Sequence, residues 1–262
     1  TAGAGGTMGN PGYLGLYLLV CLGVIVPLWG RVGRPGRIGL AAVAALDLAT
    51  ILLTGNRTSL IGLAGGGAAA LLAAAAWTAD RGVRRRILAV LGAGVVAGGS
   101  LLGAARAGWL GGAPALEELA ASRWTGRPFT IRRMGWQTAL RGTLDRPALG
   151  VGPENFGIVW QEQFDPAWYD VTVDMDVGDE QGRPHEYYLQ RPHNAFLRAF
   201  AETGVLGGLF YLGVFVGFLL ALDRARRRGG LGTREAAALL GLGAAYVIAL
   251  CLWFEEWAAF PI

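Results

Sequence analysis

Six stretches of the chain are apolar along nearly their whole length and close to the span of about 20 helical residues needed to cross a lipid hydrocarbon layer. They run Tyr13 to Trp29, Ile38 to Thr54, Ser59 to Trp77, Ile87 to Ala105, Gly204 to Leu222 and Ala236 to Phe254. The first two are 17 residues each, so their ends are the least sharply marked. Between the fourth and fifth, from Arg106 to Arg191, no apolar window of that length occurs. This pattern predicts an all-α polytopic membrane protein. Residues 1–262 form a single membrane domain, and 106–192 form one large extracytoplasmic loop carrying short interfacial helices.

The polar positions between spans set the expected orientation, because short cytoplasmic loops hold excess positive charge. Arg31, Arg34 and Arg37 follow the first span; Arg81, Arg84, Arg85 and Arg86 follow the third; Arg224, Arg226, Arg227, Arg228 and Arg234 follow the fifth. These loops alternate with the rest. Residues 1–12, the turn Gly55-Asn56-Arg57-Thr58, the long loop and Glu255-Glu256 are therefore expected on the outer side. The long loop holds 12 acids against 9 arginines, three negative charges net. His193 falls on that outer side too.

Inside the long loop, Ala115 to Trp124 and Thr130 to Leu144 read as short helices, and Gly150-Val-Gly-Pro-Glu-Asn-Phe as a turn-rich break. Trp160, Phe164, Trp168, Tyr169, Tyr187 and Tyr188 form an aromatic run suited to an interfacial belt or to sugar stacking, the belt being favoured. Among the spans, the small residues Gly65 to Ala70 predict close helix packing. Asp47 is the one acid deep in apolar sequence, where an ionisable group is a functional hypothesis.

Composition adds little beyond this. Of 262 residues 53% are hydrophobic and 43 are glycine, and mean hydropathy is positive, which makes a soluble protein a poor reading. All 23 basic side chains are Arg, a bias best ascribed to base composition. Cys21 and Cys251 sit in apolar segments without metal or disulfide spacing and read as buried hydrophobes. The chain opens on Thr1 without an initiator Met and ends on Ala-Ala-Phe-Pro-Ile, so it reads as a piece of a larger protein.

Chemistry concentrates on a few outer residues. Pro192 and Asn194 mark a helix start, with the Asn side chain placed to accept from first-turn amides; His193 then stands at the mouth of that helix. Such an imidazole, near its free pKa, can take a proton from a hydroxyl. In the helix over 130–144, Arg133, Gln137 and Arg141 form a solvated stripe. Arg132 shares a face with Trp136, Leu140 and Leu144, the face expected to pack against the membrane domain. Arg57 tops a helical hairpin on the same outer side. Two guanidiniums and one imidazole suit a phosphate-bearing substrate, since Arg binds phosphate in bidentate fashion. His185, beside Glu186, is the rival histidine; a metal site built from it matches no standard spacing.

Four stretches in order, Gly6-Thr-Met-Gly-Asn-Pro-Gly-Tyr-Leu, Thr54-Gly-Asn-Arg-Thr-Ser, Arg132-Arg-Met-Gly-Trp with Pro147-Ala-Leu-Gly-Val-Gly-Pro-Glu-Asn-Phe, and His193-Asn-Ala-Phe-Leu with Glu202-Thr-Gly-Val-Leu-Gly, resemble the O-antigen ligase and O-antigen polymerase family of bacterial membrane glycosyltransferases. Members have about twice as many spans, so the resemblance implies a carboxy-terminal half. It further implies a multi-pass protein of the bacterial plasma membrane. The donor would be a glycan on undecaprenyl pyrophosphate, used at the outer face without cofactor or metal. The acceptor would be a glycan, a lipid core or a protein, membrane lipid would surround the site, and no nucleic acid would be involved. By that likeness Arg57 and Arg132 hold the pyrophosphate and His193 activates the acceptor hydroxyl with inversion, with Asn194, Glu202 and Glu154 as support. Asn56 stands where a serine is common, and Pro192 before the histidine is less usual. Two other readings compete: a transporter or channel component using Asp47, and a non-catalytic scaffold.

Overall fold

The computed structural model describes residues 11–54, 56–109, 127–168, 173–178, 184–186 and 189–252. The helix expected over 115–124 and the tyrosines 169, 187 and 188 lie outside these or have side chains outside them. The helices are α1 (Pro11–Trp29), α2 (Arg34–Leu53), α3 (Arg57–Trp77), α4 (Arg81–Arg106), α5 (Arg127–Asp145), α6 (Phe156–Glu162), α7 (Ala195–Arg227) and α8 (Thr233–Leu252). Two short strands, β1 (Val173–Gly178) and β2 (Pro184–Glu186), pair antiparallel with an irregular register. The protein is otherwise all-α among the described residues. Six helices are long and apolar enough to cross a membrane: α1 to α4, α7 and α8. Each of the six apolar stretches thus became a helix. The chain divides into two compact units, residues 1–122 with 217–249 and 257–262, and residues 123–216 with 250–256.

In the first unit, α1 packs on α2 and α3 on α4 as consecutive hairpins. Local chemistry sets the helix ends. Asn56 Oδ1 accepts from Ser59 N at 2.9 Å to start α3, and Asp80 Oδ1 accepts from Gly82 N and Val83 N at 2.7 and 3.1 Å to start α4, which satisfies donors a helix would otherwise leave open. The small residues of α3 serve close approach, as expected. A Cβ on Gly66 would stand 2.5 Å from the Gly241 carbonyl oxygen, and one on Gly241 2.6 Å from the Gly66 carbonyl oxygen, so α3 and α8 cross with their backbones in contact.

The three arginine-rich turns meet at one end of this unit. Arg31 lies 3.7 Å from Glu235, Arg226 stacks 4.7 Å over the Trp77 ring, and Arg84 donates to the Ala75 and Thr78 carbonyls at 3.0 Å each. Those carbonyls close the end of α3, where a cation is favoured. Asp47 is buried in α2, and its Oδ2 has no hydrogen-bond partner among the described residues.

The second unit has its own core of Ile131, Met134, Ala139, Phe156, Val159, Trp160, Leu189 and Ala201. Trp160 stacks on Trp168 with centroids 5.6 Å apart and meets Phe164 edge-on at 5.8 Å. Trp160 is thus buried in this core, and Phe164 and Trp168, partly buried, pack against it, so these rings find apolar partners inside their own unit. Arg146 grips Glu162 with two parallel bonds of 2.7 and 2.8 Å and ties the end of α5 to α6.

Two expectations for helix geometry change. On α5 the stripe Arg133, Gln137 and Arg141 is exposed, as expected, but Leu140 and Leu144 are exposed as well, at 53% and 78%. The packed face is Ile131, Met134, Gly135, Thr138, Ala139 and Gly142, a complete 3.6-residue stripe that engages the unit's own core. Arg132 sits on its flank, partly buried.

The second change concerns α7, which is no single rod. At Gly204 the backbone has φ 69° and ψ −171°, a region open essentially to glycine alone. The ring of Phe196 meets those of Tyr211 and Phe215 at 5.5 and 5.2 Å, whereas a straight helix would part residues 196 and 211 by about 22 Å at 1.5 Å per residue. Residues 195–203 and 205–216 thus form a sharp V, and the apolar run begins at its apex, where hydropathy had placed the start of the fifth span.

Candidate active site

The apex of the V is filled by the segment over 147–152. The N–H groups of Val151 and Gly152 donate to the carbonyls of Ala201 and Glu202 at 3.2 and 2.8 Å, and Val205 N–H donates to the Pro147 carbonyl at 2.7 Å. One short segment thereby satisfies the open carbonyl end of one half-helix and the open amide end of the next. It fits because it is thin. Gly150 has φ 64°, and a Cβ there would stand 2.5 Å from the Ala201 carbonyl oxygen.

The other end of 195–203 carries His193. Asn194 Oδ1 accepts from Phe196 N and Leu197 N at 3.1 Å each, which is the N-cap expected of it. Pro192 is fully buried against α5, where a Cβ on Gly135 would come within 3.3 Å of its Cα. Between the seated proline and the cap, His193 adopts φ 52°, a left-handed conformation that non-glycine residues hold only when their surroundings impose it. Burial, and then the positive charge of Arg132, push the His193 pKa down to about 4. At neutral pH the ring is therefore uncharged, with a nitrogen lone pair to offer.

Around it runs a chain of charges. Glu154, also left-handed at φ 63°, accepts from Arg191 Nη2 at 2.9 Å and from Arg198 Nη2 at a very short distance. Arg198 Nε in turn donates to Glu202 Oε1 at 3.0 Å. The Glu154 carboxylate is 62% exposed, while the side chains of Arg191, Arg198 and Glu202 are exposed by only 15%, 12% and 6%. The two guanidiniums, Arg191 first, hold the Glu154 carboxyl below the usual carboxylate range.

Compared with protein-family models, the chain is similar to O-antigen ligase over residues 40–212. The chain belongs to the O-antigen ligase family. No curated protein and no solved structure matches it. Family membership makes it a multi-pass membrane protein of a glycan-transferring class, ligase or polymerase, with lipid-linked glycan as its substrate.

Within this member of the O-antigen ligase family the second unit holds Arg132, Glu154, Arg191, His193, Asn194, Arg198 and Glu202. Arg57 opens α3 of the first unit, directly after its cap Asn56. His185 and Glu186 lie in β2, with His185 paired in register with Asp174. Arg191 and Arg198 had not been singled out from the sequence. Their one legible signal was Arg198 four residues before Glu202, the spacing of an ion pair on a helix; nothing local joined either arginine to Glu154.

Proposed function

We propose that this protein transfers a glycan from undecaprenyl pyrophosphate to an acceptor hydroxyl at the outer face of the bacterial plasma membrane. The observation that carries this reading is a partly buried histidine, neutral at physiological pH, held in a left-handed turn at a helix mouth beside an arginine. In the step, the acceptor oxygen bonds to the anomeric carbon as the bond from that carbon to the pyrophosphate oxygen breaks. The leaving electron pair stays on the pyrophosphate, and the hydroxyl proton passes to His193. Attack from the face opposite the leaving group inverts the carbon.

On this reading Arg132 and Arg57 bind the pyrophosphate, and their positive charges stabilise the negative charge that grows on it as the bond breaks. Family membership, the neutral imidazole and the nearby guanidinium all support this, and no metal ion takes part in the step. Ligation to a lipid core and extension of a polysaccharide use the same chemistry and differ in the acceptor.

The test is reconstitution of the intact membrane protein with a defined undecaprenyl-pyrophosphate-linked donor. His193→Ala, Arg132→Ala and Arg57→Ala should each abolish transfer while leaving membrane insertion intact. Transfer at the normal rate by the His193→Ala and Arg57→Ala proteins would sink the assignment.

A further inference from the structure

Three constraints converge on the turn that holds His193, and two are local: Pro192 seated against Gly135 and the Asn194 cap. The third comes from far away in sequence. Glu154 lies on the segment threaded through the V of α7, and its carboxylate joins Arg191, two residues before the histidine, to Arg198, five residues after it. The turn is thus straddled by two guanidiniums tied to one carboxylate. Arg198 is held from behind by Glu202, buried in the same half-helix.

We infer that Glu154 is a positioning residue for His193, fixing its turn by bridging Arg191 and Arg198 across it. Both left-handed non-glycine residues among the described residues, Glu154 and His193, lie on the two segments this bridge joins. A strained backbone persists when its surroundings over-determine it, and a carboxylate shared by two largely buried guanidiniums is a strong, directional tie of that kind. The bridge also neutralises charge. With Arg132 beside the imidazole, two further uncompensated cations would favour the wrong place for an anionic substrate group, and Glu154 and Glu202 cancel them. The inference rests on His193 being the proton acceptor of the proposed transfer.

Glycine is the informative replacement, because it keeps the left-handed backbone at 154 and removes only the carboxylate. In proteoliposomes, Glu154→Gly should lower kcat about tenfold or more, as expected when a catalytic group drifts by a fraction of an ångström to an ångström, with the donor KM changed less than twofold. Added formate, small enough to bridge the vacated arginines, should restore a measurable part of kcat relative to wild type under the same conditions. A merely structural residue would not respond in this way. Combining Glu154→Gly with Arg191→Gln should cost no more than the worse single change, since both remove one tie.

Unchanged kcat, or losses that multiply in the double variant, would overturn the inference. If Glu154→Gly inserts poorly, Glu154→Gln gives the same kcat and KM comparison without formate. An active His193→Ala protein would sink the underlying reading. An inactive one beside a Glu154→Gly protein at the wild-type rate would sink the positioning role alone.

Discussion

Phe196 and Tyr211 touch across the break in α7, their ring centroids 5.5 Å apart although 15 positions separate them in the chain. The contact exists because Gly204 turns the helix back on itself. The continuous run Ala195–Arg227 is thus a short arm carrying His193 at its start, folded back at Gly204 against the apolar span that begins there. The arm's buried end is sealed by the 147–152 segment.

That geometry makes Gly204 far less tolerant than its neighbours. Gly204→Ala must adopt a backbone region closed to alanine and press its Cβ into the Ala148 carbonyl, at a cost of several kcal/mol. Gly213→Ala, which meets nothing within 4 Å, should leave stability unchanged or slightly raised by the helix preference for alanine. Thermal unfolding of the two purified proteins should separate them widely. Equal midpoints would contradict the V.

The pH profile follows from the His193 pKa, lowered to about 4 by burial and then by Arg132. Because the folded state disfavours the proton, the folded protein keeps its full stability above the ordinary histidine value of about 6.5. As pH falls from there towards 4 it loses stability, on the order of 3 kcal/mol in all. The acid limb of kcat/KM, which reports the free enzyme, should accordingly lie well below 6.5. Arg132→Gln removes the smaller of the two causes and should raise the His193 pKa by a fraction of a unit, read from NMR titration of the ring and not from turnover. A His193 pKa near 6.5 in the wild type, unmoved in the variant, would count against the pairing of these two residues.

Asn194 separates cap from chemistry. Asn194→Ala frees two amides and should cost about 1 kcal/mol of stability, and because His193 is the preceding residue, kcat should fall as well. Asn194→Asp, which can still accept both bonds, should recover the thermal midpoint. A variant that loses neither stability nor rate would contradict the cap.

At the α3–α8 crossing, Gly66→Val would force side-chain atoms into the Gly241 carbonyl. The expected outcome is a destabilised first unit, read as increased protease sensitivity of the inserted protein, while Gly67→Val, open to space, should behave as wild type.

Asp47 decides between catalysis and transport. It lies buried in α2 of the first unit, while the proton acceptor proposed for transfer lies in the second. Asp47→Asn should retain glycan transfer at near the wild-type rate in reconstituted membranes. Loss of transfer there, with His193→Ala active, would favour the transporter reading.

Much of this protein was written in one dimension. Apolar runs long enough for a bilayer became helices because a backbone in lipid must satisfy its own hydrogen bonds. Arginine turns fell together at one end, and Asn56, Asp80 and Asn194 capped where their side chains reach nearby amides. The helical runs and the caps depend on residues a few positions apart, which a linear reading can weigh. The site's architecture depended on partners far apart in sequence. Whether Arg132 faced a packed side was decided by which stripe of α5 met the core, so the face drawn through Leu140 and Leu144 proved exposed. That Glu154 ties Arg191 to Arg198, and that Gly204 is a reversal and not merely the start of a span, emerged only once the 147–155 segment was threaded through α7. Hydrogen bonds and ion pairs between segments this distant leave no period in the sequence; tertiary packing alone selects them.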